Sequence, residues 1–133
     1  MSQLNVNTLN NAADSGSDIS VSNLGSSQCK VWLNYDGTAN TITDDFNVTS
    51  VTDNSTGNFT INFTNALADA NYVFSGSGKY QVNDNHVMCI GEYYTGTTKT
   101  TSLLKIVVGT SGATGATGSR VDCENISVII FSS

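Results

Sequence analysis

The chain has 133 residues, room for one domain of ordinary size, and a formal net charge of -6. Its five cations, Lys30, Lys79, Lys99, Lys105 and Arg120, are scattered, so the clustered positive charge that phosphate contacts need is missing and nucleic acid is not expected as a partner. No apolar stretch approaches the ~18 residues of a membrane span, and Met1 to Ala13 has neither the basic nor the apolar region of a secretion signal, so neither membrane insertion nor export is expected.

Hydrophobic residues make up 38% and charged residues 12%, and Asn, Thr, Ser and Gly fill the difference. Ser, Thr and Asn compete for backbone hydrogen bonds in a helix and Gly carries an entropic penalty there, so this composition favours sheets and turns. Residues 1–27 place Leu4, Val6 and Leu9 among Asn and Thr, followed by a Ser/Gly/Asp stretch and then Ile19 to Leu24. Such a segment has no core of its own. It is read as an extended N-terminal arm, with Leu4, Val6 and Leu9 as candidate docking residues, ahead of a β domain over 28–133.

From Cys29 the apolar residues alternate. Val31, Leu33 and Tyr35 face away from Lys30, Trp32 and Asn34, and Asp36-Gly37 supplies a turn. Thr41 to Phe46 is a second strand. Asn47 to Asp53 is a third, with an apolar phase that slips between Val48 and Val51 and so predicts a bulge or an exchange between sheets. Asp53 to Gly57 is read as a hairpin loop. Phe59, Ile61 and Phe63 then alternate with Asn58, Thr60, Asn62 and Thr64 in the cleanest strand of the chain.

Ala66 to Asn71 tolerates at most one helical turn. Tyr72 to Ser75, Val87 to Tyr94 and Leu103 to Val108 are further strands, and Gly109 to Gly118 is a flexible loop. The last run, Ile126 to Phe131, is apolar on both faces. It predicts a central strand or one covered by another subunit, and Ile126, Val128 and Ile130 are candidate assembly residues. About eight strands with regularly spaced turns predict an all-β fold, an antiparallel β-sandwich or jelly-roll-like domain.

The search for chemistry returns little. His86 is the one histidine, it follows Asp84-Asn85 at a strand entrance, and no nucleophile elbow accompanies it. Cys29, Cys89 and Cys123 lack metal spacing and are expected as buried free thiols in a reducing cytoplasm, with a Cys29–Cys123 bridge as the open alternative. Asp44, Asp45 and Asp53 could serve calcium but form no Asp-Xaa-Asp-Xaa-Asp loop. Asp44, Asp45, Glu92, Asp122 and Glu124 could supply a carboxylate pair, but nothing in the sequence fixes their separation. No catalytic, cofactor or metal residue is assigned, and an enzyme is not expected. Trp32, Tyr80, Tyr93 and Tyr94 are the aromatics that could reach a partner or a sugar, with Trp32, Tyr93 and Tyr94 the candidate glycan contacts.

Two stretches resemble a known group. Leu4-Asn-Val-Asn-Thr-Leu-Asn-Asn-Ala-Ala13 is similar to the opening of virion structural proteins of marine phages, including cyanophages and pelagiphages. Gly25-Ser-Ser-Gln-Cys-Lys-Val-Trp-Leu-Asn-Tyr-Asp-Gly-Thr38 resembles the Lys-Ala-Trp-Val-Asn-Phe-Asn-Gly-Thr block of phage tail-fibre-like domains, and the likeness runs on through Asp45 to Gly57 and Phe59 to Tyr72. Cys29 departs from that pattern. The resemblance implies a virion structural protein of the tail-fibre or capsid-decoration type, assembled in the host cytoplasm. It further implies a homotrimer that contacts other capsid or tail proteins and carries no catalytic residues. A host-receptor-binding module at a fibre tip, recognising a surface glycan, is the alternative function.

Overall fold

A computed structural model describes residues 8–9, 19–20, 28–79, 87–111 and 118–132. Its strands in chain order are β1 (Thr8–Leu9), β2 (Ile19–Ser20), β3 (Cys29–Asp36), β4 (Thr41–Phe46), β5 (Val48–Ser55), β6 (Asn58–Phe63), β7 (Val73–Lys79), β8 (Val87–Glu92), β9 (Leu103–Ser111) and β10 (Asn125–Phe131). β1 and β2 pair with one another, antiparallel, inside the segment read as an arm. Leu4 and Val6 lie outside the described residues.

The other eight strands form two antiparallel sheets of four, in the orders β4-β3-β10-β7 and β5-β6-β9-β8. They make a β-sandwich, as the sequence predicts. The period-two side chains of β3, β6, β9 and β10 account for the core. Val31, Leu33 and Tyr35 come from β3, Phe59, Ile61 and Phe63 from β6, Leu104, Ile106 and Val108 from β9, and Ile126, Val128 and Ile130 from β10. Burying each such side chain contributes roughly 1.5–3 kcal/mol. Tyr35 meets Phe59 edge-on at 5.4 Å between ring centroids, which ties the two sheets together. Small residues on β7 let the opposite edge close. A Cβ on Gly76 would stand 3.0 Å from the Ser127 carbonyl oxygen and 3.2 Å from Ile90 Cδ1.

The phase slip near Val48 has a double cause. The chain leaves the first sheet at Phe46 and enters the second at Val48, and the β5–β6 register also shifts between Val48 and Ser50. Asn47 makes the crossing in the left-handed region, at φ 61°. Its amide donates to the carbonyls of Lys30 and Asn65, and its Oδ1 accepts from the Asn65 N–H at 2.7 Å.

Two strand boundaries are corrected. The loop predicted for Asp53 to Gly57 is mostly strand: β5 runs to Ser55 and the turn is only Thr56-Gly57. A register shift between Asp53 and Ser55 leaves Asn54 free to donate to Thr60 Oγ1 at 2.9 Å, which keeps the bulged strand paired. Ala66 to Asn71, expected to hold at most one helical turn, forms none, and Leu67 is pinned by its N–H to the Thr101 carbonyl at 2.7 Å. β9 continues to Ser111, because β8 pairs with it as far as Val87–Ser111.

Candidate functional site

The terminal strand β10 is central in its sheet, between β3 and β7. Its register decides which residues can meet a partner. Ile126, Val128 and Ile130 point inward with 0%, 2% and 0% exposure, so they are spent on the chain's own core and cannot dock another molecule. The outward residues of β10 are instead Ile129 and Phe131, because successive side chains on a strand alternate between faces.

Ile129 stands opposite Trp32, and Trp32 stands opposite Phe46, so a row of large apolar side chains crosses β10, β3 and β4 on the outer face. Phe131 and Val73 form a neighbouring pair on β10 and β7. Phe46, Val73, Ile129 and Phe131 are 53%, 66%, 43% and 37% exposed, and Trp32 is partly buried. Trp32 therefore belongs to an uncovered surface and not to a second core layer. A depression of about 390 Å³ opens at the end of this row, bounded by Cys29, Phe46, Asn47 and Leu67.

The outer face of the second sheet has a different chemistry. Ser50, Thr52 and Asn54 of β5 face Thr60 and Asn62 of β6 across a polar ladder, with Asn62 Nδ2 donating to Ser50 Oγ at 3.1 Å. Beyond β9 this ladder gives way to an aromatic and cationic corner. Tyr93 follows β8 and its N–H donates to the Lys105 carbonyl at 3.0 Å, so its ring emerges beside the Lys105 side chain. The Tyr93 and Tyr94 ring centroids are 5.3 Å apart. The Arg120 guanidinium lies 5.2 Å from the Tyr93 centroid and 5.9 Å from that of Tyr94, and Lys105 Nζ lies 5.5 Å from Tyr93.

Arg120 arrives from far along the chain. The Thr110 N–H donates to the Ser119 carbonyl, the Val121 N–H to the Val108 carbonyl, and Gly109 bridges Arg120, so this segment extends the sheet past β9. The Tyr93 phenol is held below its usual range, first by a hydrogen bond with Thr95 and then by the Arg120 hydrogen bond and charge and by Lys105. Next to the corner is a shallow, mainly apolar depression of about 300 Å³ with Ile90, Gly91, Val107 and Gly109 in its floor and Arg120 on its wall.

The remaining sequence candidates do not converge. Asp45 caps the sheet crossing, accepting from the Val48 N–H at 3.3 Å, and Asp44 accepts from the Asp45 N–H. Asp122 accepts from the Gly57 N–H, Glu92 from the Thr98 hydroxyl, and Glu124 pairs with Lys79 at 3.7 Å. Among the described residues no group of three or more His, Cys, Asp or Glu side chains could hold a metal ion. All three cysteines are free. Cys123 is buried as expected, whereas Cys29 is only partly covered and Cys89 is exposed, because Cys89 lies on the outer face of the edge strand β8. Tyr80 and His86 lie outside the described residues. Among the described residues there is also no helix long and apolar enough to cross a membrane.

Sequence reasoning missed Phe46, Val73, Ile129, Phe131, Lys105 and Arg120. The first four carry a signal in the strand phase, once the inward residues are known. Arg120 carries none, because only the tertiary pairing of residues 119–121 with β9 brings it to Tyr93. Comparison with protein-family models, with curated proteins and with solved structures finds no match.

Proposed function

We propose that this chain is a structural module of a bacteriophage particle, an appendage of the tail-fibre or capsid-decoration type that assembles as a homotrimer. The observation that carries this reading is the apolar row Phe46–Trp32–Ile129 with Phe131 and Val73, left outside a sandwich whose core is already complete. Apolar residues exposed side by side on a sheet face, rather than singly, mark an interaction surface. Three copies that turn this face to a common axis would each cover it, and residues 1–27 would attach the assembly to other capsid or tail proteins. The resemblance of residues 4–13 to the opening of marine phage virion proteins, and of residues 25–75 to phage tail-fibre-like domains, supports the same function. Light scattering on the full chain at micromolar concentration tests it: a trimer mass is expected, and a clean monomer overturns the assembly.

A second reading is favoured by the Tyr93–Tyr94 pair on the opposite sheet. A tyrosine pair with Tyr94 exposed and Tyr93 half-buried, on the sheet that carries a polar amide and hydroxyl ladder, suits the mixed apolar and hydroxylated faces of a sugar, so the module would grip a host surface glycan. The two readings use opposite faces of the sandwich and can hold together.

A further inference from the structure

We infer that the Tyr93–Tyr94–Arg120–Lys105 corner is a binding site for an acidic saccharide, one bearing a carboxylate or a sulfate. This inference rests on the glycan-binding reading of Tyr93 and Tyr94 and adds the ligand's charge.

The argument begins with scarcity. The chain has a net charge of -6 and only five Lys and Arg, yet two of them, Lys105 and Arg120, meet over one tyrosine ring. Neither is in an ion pair among the described residues, where the recorded pair is Lys79 with Glu124. An acidic protein that places two of its few cations side by side, unpaired with any carboxylate among the described residues, concentrates positive potential where an anion can bind.

The geometry adds orientation. Arg120 rests over both rings, which fixes the guanidinium plane and lowers the entropy lost when its remaining N–H groups take an oxyanion in a two-point contact. Tyr94 is 77% exposed, so ring surface remains for the C–H face of a sugar. The floor is open for a reason of sequence: a Cβ placed on Gly91 would meet only Val107 Cγ1, at 3.9 Å. The apolar depression of about 300 Å³ over Gly91 and Val107 is large enough for one sugar ring beside the charge. The two tyrosine rings beside the charge and the adjoining apolar floor distinguish this site from a plain phosphate patch, which needs neither.

The experiment is calorimetric titration of the full chain with matched saccharides: tetragalacturonate against its methyl ester, sialyllactose against lactose, and a sulfated against an unsulfated N-acetyllactosamine. At least one acidic member is expected to bind about tenfold or more tightly than its neutral partner, with affinity falling as salt rises. The carboxylate and sulfate arms identify the acidic group. Arg120→Gln and Gly91→Val should each weaken that binding about tenfold or more, and Gly91→Val does so by filling the floor at a position with room for the side chain. Unchanged circular dichroism of each variant separates lost binding from lost fold. Equal affinity for acidic and neutral partners overturns the inference while leaving a glycan-binding module in place. Binding of no saccharide overturns both, and acidic binding that survives both variants moves the site elsewhere.

Discussion

The Gly57 N–H donates to Asp122 Oδ1 at 2.7 Å, joining a hairpin turn to a segment 65 residues further along the chain. The same segment receives the Gly37 N–H on the Cys123 carbonyl at 2.8 Å, so residues 122 and 123 close the ends of two hairpins, one in each sheet. Gly57 sits at φ 62°, and a Cβ there would stand 2.3 Å from the Val108 carbonyl oxygen. Gly57→Ala therefore combines an unfavourable backbone conformation with a backbone clash and should cost about 2–4 kcal/mol. Asp122→Ala removes only the acceptor and should cost about 1–3 kcal/mol, and Asp122→Asn, which keeps an oxygen acceptor, should cost less than Asp122→Ala. Urea denaturation midpoints at neutral pH give the order; Gly57→Ala unfolding at the wild-type midpoint would contradict it.

Much of this architecture was legible in the sequence, and the split follows the range of the interactions. Period-two patterning in Val31-Leu33-Tyr35 and Phe59-Ile61-Phe63 identified inward faces that the structure buries. The slip at Val48 pointed to the sheet crossing because a strand that changes sheets must change phase. Ile126 to Phe131 defeated the same rule. With apolar residues on both faces, only the register against β3 tells which set lies inside, and the sequence expectation placed the buried set at the interface. The Tyr93 and Tyr94 rings were visible as aromatics after a strand, but their cations were not, since Arg120 reaches them through a long-range backbone pairing.

Asn47 combines a left-handed backbone with four side-chain hydrogen-bond contacts, to Lys30 and Asn65, at the crossing between sheets. Glycine accepts that backbone but makes no such contacts, whereas alanine loses both. Asn47→Gly should therefore destabilise by about 1–2 kcal/mol and Asn47→Ala by about 2–4 kcal/mol. Thermal or urea unfolding of both variants checks this, and an alanine variant at least as stable as the glycine one would show that the backbone conformation is not the constraint.

The outer row on the first sheet makes a separate prediction about mass. Trp32 and Ile129 face one another outside the core, and threonine is a good strand former that can replace both without touching the inward face. Under the proposed trimeric assembly, the double variant Trp32→Thr/Ile129→Thr should keep the wild-type circular dichroism and give a monomer mass in light scattering where the wild type gives a trimer. Replacing the inward neighbour in Val128→Thr should instead lower stability, by about 1–3 kcal/mol, through a buried hydroxyl. A double variant that remains fully trimeric would remove this face from the assembly.

Cysteine chemistry follows burial. Cys123 has 0% exposure, and burial, with a smaller contribution from the Asp122 charge, pushes its thiol up to about 11. Cys89 is exposed and Cys29 is partly covered, so a thiol reagent under native conditions should modify Cys89 first, Cys29 more slowly and Cys123 only on unfolding. The shift also sets a direction with pH. Between the ordinary thiol value of 9.0 and about 11 the unfolded chain loses the Cys123 proton while the folded chain keeps it. The unfolded state then binds fewer protons, so stability is fully present below that window and falls as pH rises through it. Cys123→Ala removes this slope. Urea midpoints measured from about pH 8 to about pH 10.5 should therefore converge between wild type and variant as pH increases. Parallel midpoint curves would mean that the Cys123 thiol titrates alike in the folded and unfolded chain.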